Sequence, residues 1–123
     1  MALVLDAGAL IAIERRDRAT IARLVRAHEE AEPVLTSAAV VAQVIRNRAR
    51  QVTLERVLAG VEEQTLDSED ARRIGQLLAS SITSDVVDAA LALLANPGDE
   101  VLTSDPDDFR NLLPKRSIKI TTV

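Results

Sequence analysis

The chain has no cysteine, tryptophan or tyrosine, one histidine (His28) and one phenylalanine (Phe109). Without thiols neither a disulfide nor a thiolate zinc site can form, and a single imidazole cannot build a histidine-rich metal centre. Any metal must be held by oxygens, which favour Mg²⁺, Mn²⁺ or Ca²⁺ over softer ions. No apolar run approaches the roughly 20 residues of a membrane helix. The opening "MALVLDAGAL" has no basic segment ahead of its apolar stretch, so a cytoplasmic protein with no membrane partner is expected. Positive charge is also in deficit. A net charge of -4 argues against a surface that coats nucleic acid, though it leaves room for a local basic patch.

What the chain does have is aliphatic. Its hydrophobic fraction of 47% comes almost wholly from Ala, Val, Leu and Ile, spread over 123 residues, enough for a single core and one domain spanning 1–123. Short Leu- or Val-rich runs alternate with longer helical ones, the pattern of βαβ units around a parallel sheet. Strands are expected at 2–5 ("ALVL"), 33–36 ("PVLT"), 64–66, 100–104 ("EVLTS") and 117–122, the last at an edge because Lys119 alternates with Ile118 and Ile120. Helical spacing predicts helices over 18–31, 37–50 with Ser37 as N-cap, 53–60, 68–81 capped by Ser68, 84–96 capped by Ser84, and 106–113. No repeat, linker or low-complexity tract interrupts them.

Ligands of open parallel sheets bind outside the carboxyl ends of the strands. Two acids obey that rule independently: Asp6 directly follows "LVL", and Asp105 follows "VLTS". Each has a plain alternative, Asp6 as a helix N-cap and "TSDPDD" as a turn leading into a helix. Asp85 reads as a first-turn partner of the helix dipole. Asp88 is harder to dismiss, because it falls beyond the expected first turn among Ala89, Ala92 and Ala95, where an uncompensated carboxylate costs free energy. If Asp6, Asp88, Asp105 and Asp108 converge, mutual repulsion raises their pKa values until protons or a divalent cation neutralise them. A cation so held can activate water and stabilise charge on a phosphodiester during in-line attack. Gln43, Arg46 and Arg50, at i, i+3 and i+7, would share a face of the 37–50 helix, either solvated or set to contact RNA phosphate.

These residues resemble a PIN domain, and most closely a VapC-type toxin ribonuclease of a toxin–antitoxin pair. "LVLDAGALIA" resembles that family's opening strand and first acid, "DVVDAALALLA" its central acidic helix, and "VLTSDPDDF" its closing strand with a Ser-Asp and a trailing acid. The resemblance implies a three-layer α/β fold, with a central parallel sheet of about five strands and helices on both faces. It further implies homodimers, Mg²⁺ or Mn²⁺ dependence and endonucleolytic cleavage of RNA. By the same resemblance Asp6 and Asp88 would be the main metal ligands, Asp105 would complete the set directly or through water, and Asp108 would be a looser outer member. Thr103 or Ser104 would hydrogen-bond a ligand carboxylate or the substrate phosphate. A cognate antitoxin would lay a helix across the dimer's groove and present a basic side chain to the acidic centre.

One position departs from the pattern. Such domains carry a glutamate in the helix after the second strand, where "VAQVIR" has Gln43, a neutral oxygen and an NH₂ donor in place of a charged ligand. The substitution supports an alternative in which a weakened PIN domain binds RNA or protein without cutting. Two other enzyme classes fit poorly. A haloacid-dehalogenase-like phosphatase needs a second acid at the position of Gly8, and a receiver domain needs an acidic pair that "LVLDAG" lacks.

Overall fold

Leu3, Val4 and Leu5 are wholly buried, as a strand covered on both faces must be, and they form β1 (Leu3–Leu5). A computed structural model describes residues 1–81, 85–113 and 117–123. In it β1 is the middle of a five-stranded sheet completed by β2 (Val34–Ser37), β3 (Glu62–Gln64), β4 (Glu100–Thr103) and β5 (Lys119–Thr122). The order is β3-β2-β1-β4-β5, and every neighbouring pair is parallel. The helices are α1 (Ala7–Glu14), α2 (Arg18–Glu29), α3 (Ala38–Val44), α4 (Val52–Leu58), α5 (Ser68–Ala79), α6 (Val86–Ala92) and α7 (Pro106–Leu112), with a turn of 3₁₀ helix at Arg48–Arg50.

The strand order dictates the layers. Steps from β1 to β2 to β3 run one way along the sheet, and steps from β3 to β4 to β5 run the other. Right-handed crossovers therefore send the first helices to one face and the later ones to the opposite face. Accordingly α1 packs on α2, α3 and α4, while α6 packs on α5 and α7. Leu10, Ile13 and Leu54 are fully buried in the first group, and Leu91 and Phe109 in the second. No described helix is long and apolar enough to cross a membrane.

Several element ends differ from the sequence expectation, each for a local reason. The helix expected over 37–50 stops at Val44, and Ile45 turns extended (φ -68, ψ 125). The buried Gln51 side chain makes the stop. Its oxygen accepts from the N–H groups of Arg46 and Asn47 at 2.9 and 3.0 Å, and its amide donates to the Val44 carbonyl at 3.1 Å. The third strand forms two residues earlier than expected, at Glu62–Gln64, where pairing with β2 sets Leu35 opposite Glu62. Its exposed glutamates disguise it as a loop. Helix α5 is capped by Asp67 instead of Ser68, in a reciprocal pair with Asp70. Helix α6 ends at Ala92 instead of 96, because the Asp99 carboxylate accepts from Asn96 N and Ala2 N and ties that turn to the base of the sheet. The expected cap Ser84 lies outside the described residues.

Candidate active site

Strand order reverses between β1 and β4, which opens a crevice at their carboxyl ends. Asp6 follows β1 and Asp105 lies two residues past the end of β4, so the two flank that crevice. Three other acids begin helices as ordinary caps: Asp17, Asp67 and Asp85 accept hydrogen bonds from Thr20 N, Asp70 N and Asp88 N. Asp6 and Asp105 occupy N-cap positions of α1 and α7, yet neither side chain caps. The plain reading of both acids as helix caps therefore fails.

The Asp6 carboxylate instead receives the Thr103 hydroxyl. Thr103 Oγ1 donates to Asp6 Oδ2 at 2.7 Å, and the same oxygen accepts from Asp105 N at 2.9 Å. With Thr103 fully buried and Asp6 only 4% exposed, one hydroxyl locks the ends of β1 and β4 together. Close packing at this point needs a glycine. A Cβ on Gly8 would lie 2.7 Å from Ser104 Cβ and 2.8 Å from its backbone N, so the first turn of α1 approaches the end of β4 only without a side chain there.

The acids at this edge feel one another's charge. Burial pushes the Asp6 carboxyl above the usual carboxylate range; the Thr103 hydroxyl and the Ala7 N–H oppose the shift, and repulsion from Asp105 and Asp85 adds to it. The Asp88 carboxyl is pushed up to about 7, first by burial and then by repulsion from Asp85, Asp6, Asp108 and Asp105. Asp88 stands in the first turn of α6, three residues after its cap, and not beyond it as the sequence suggested. Asp85 does more than partner the helix dipole. It caps α6 and is the foremost charged neighbour of Asp88, and its i, i+3 spacing from that residue was the available signal.

All the donors at this edge are oxygens, which suits a hard divalent cation. The carboxylates ring the crevice without closing on one point: among the described residues no three His, Cys, Asp or Glu side chains are grouped to hold a metal ion. Gln43 is exposed on α3. Arg46 and Arg50 do not share its helix face, because both lie past the end of α3. The Arg46 guanidinium folds back onto the carbonyls of Ala42 and Ile45.

Neither the family models nor the curated proteins gave a match to the chain. Among solved structures it aligns with a chain from the crystal structure of VapBC2 from Rickettsia felis bound to a DNA fragment from their promoter. The TM-score is 0.73 at 12% sequence identity, over 100% of this chain and 99% of that one. The chain has the PIN-domain fold. In this fold Asp6 and Asp105 flank the crevice between β1 and β4, and the charge of both reaches Asp88.

Proposed function

We propose that the chain is a metal-dependent endoribonuclease and the toxin of a toxin–antitoxin pair, acting as a homodimer restrained by a cognate antitoxin. One observation carries the reading: Asp6 and Asp105 stand at helix N-caps without capping, on either side of the crevice into which Asp88 also projects its charge. Carboxylates held together and left unneutralised are costly, and a divalent cation removes the cost. Asp6, Asp88 and Asp105 would hold Mg²⁺ or Mn²⁺, with Asp108 as an outer member. The likeness to VapBC2 supports the same family of activities and an antitoxin partner.

When bound, the cation would supply Lewis-acid polarisation of a phosphodiester and a more acidic water. The protein's own residues do the rest. Thr103 fixes the Asp6 carboxylate through its hydroxyl and positions Asp105 through the backbone. Asp85 fixes the backbone of Asp88. Bare carboxylates would repel RNA, so the cation serves binding as well as rate.

The test is cleavage of single-stranded and structured RNA by purified protein with Mg²⁺ or Mn²⁺, with EDTA as control. Asp6→Asn and Asp88→Asn should each reduce the rate at least a hundredfold. Metal-dependent cutting retained by both variants would sink the site assignment, and RNA binding with no cutting under any metal would favour the non-cutting alternative built on Gln43.

A further inference from the structure

A groove of about 450 Å³ leads away from the acidic crevice along the exposed face of α1. Ser104, beside Asp105, lines it together with Gly8 and Val123, and so do Ile11, Ala12, Arg15 and Asp17 along and just past α1. Arg15 lines the groove, its chain neighbours Arg16 and Arg18 are exposed beside it, and none of the three forms an ion pair among the described residues. Asp17 lies among them, but its carboxylate is committed to the start of α2, accepting from Thr20 N at 3.0 Å and Thr20 Oγ1 at 2.8 Å. In a chain of net charge -4, these three arginines form a locally positive corner beside the groove.

Helix α1 ends at this corner on a left-handed residue, as α2 does at Ala31 (φ 54). Helix α1 closes with paired bonds from Arg16 N to the Ile13 carbonyl and from Asp17 N to the Ala12 carbonyl, both at 2.9 Å. That stop requires a left-handed residue, which is usually glycine. Here it is Arg16, at φ 58. The chain tolerates a strained arginine where glycine would fit freely, and the turn presents Arg15, Arg16 and Arg18 within four consecutive residues.

We propose that this groove carries the strand of single-stranded RNA that flanks the scissile phosphate, with Arg15, Arg16 and Arg18 holding its phosphates. Guanidinium groups match phosphate oxygens in geometry and charge, and exposed Ile11 offers an apolar floor for sugar and base faces. Helix α1 spans roughly 12 Å at about 1.5 Å per residue, a run that a strand rising roughly 3.4 Å or more per nucleotide covers in a few nucleotides. The positive field missing from the molecule as a whole is then supplied where the substrate leaves the carboxylates. The inference rests on the ribonuclease reading.

The test uses the full chain carrying Asp6→Asn and a fluorescent oligoribonucleotide, with binding measured across a salt series. Adding Arg15→Gln, Arg16→Gly and Arg18→Gln should weaken binding at least tenfold and reduce the slope of log K against log salt by about 2, at roughly 0.7 per phosphate for single strands. Arg72→Gln removes one charge from an exposed arginine elsewhere, bonded to the Ser68 carbonyl; it should change neither quantity measurably. Ile11→Glu, which places a carboxylate in the groove floor, should weaken binding while leaving melting unchanged. In the cutting enzyme the triple variant should raise KM more than it lowers kcat. An unchanged slope and KM in protein that still cuts RNA overturn the groove and leave the ribonuclease reading intact. Failure of the parent protein to cut overturns that reading and the groove together.

Discussion

Thr103 shows how much one hydroxyl can organise. It donates to the buried Asp6 carboxylate and accepts from Asp105 N, so it joins the two acids that follow β1 and β4. Replacing it by valine keeps the shape and removes both bonds, leaving a buried carboxylate oxygen and an N–H without their partner. Thr103→Val should cost about 1 kcal/mol or more of stability and slow RNA cleavage at least tenfold, while Thr103→Ser should retain most of both. Melting curves and single-turnover rates check this. Asp6 and Asp105 were legible in the sequence because each stands at the carboxyl end of an apolar strand, Asp6 directly after Leu5 and Asp105 after Thr103 and Ser104. Their freedom from capping was not, since any Asp ahead of a helix is by default a cap. Asp85 and Asp88 reverse the case: both were seen, and only the observed start of α6 shows which caps and which belongs to the crevice.

Among the elements, α1 and β4 meet where Gly8 faces Ser104. A methyl at position 8 would meet backbone as well as side chain, so α1 would have to move away from β4. Gly8→Ala should destabilise by about 1–3 kcal/mol, the range for overpacking. Because α1 follows Asp6, the same variant should reduce cleavage more than its loss of stability explains. Denaturant unfolding and cleavage rates measured on one preparation separate the two effects. Element identity was largely readable: strands near 2–5, 33–36, 100–104 and 117–122, and the helices between, all appear close to the expected positions. The failures lie at ends decided by distant side chains. Gln51 terminates α3 from seven residues beyond it, and no periodicity in "SAAVVAQVIRNRAR" announces that. The shared face of Gln43, Arg46 and Arg50 was lost with that helix end.

At the scale of the whole molecule, the acids make stability depend on pH and on cations. The Asp88 carboxyl rises from 3.8 in the unfolded chain to about 7 in the folded one, so between those values the folded state holds a proton that the unfolded state has released. Metal-free protein should therefore lose stability as pH rises from 3.8 to about 7 and level off above that. The raised Asp6 carboxyl acts in the same direction. Mg²⁺ or Mn²⁺ should raise the melting temperature more at pH 8 than at pH 5, and Asp88→Asn should flatten the metal-free profile. A metal-free melting temperature that climbs across this interval would contradict the shared field of the four acids.

Composition alone excluded thiolate and histidine-rich metal sites and left oxygen as the only donor, because those choices depend on which atoms exist. Local pattern then marked the parallel α/β alternation and the acids after two strands, because burial on both faces of a sheet leaves an apolar run that sequence displays. Only the tertiary structure decided that β1 and β4 are neighbours, that Thr103 joins Asp6 to Asp105, and that Arg15 lines one groove with Ser104. Those relations span up to 97 residues along the chain. They arise from packing and backbone turns that no short stretch of sequence encodes.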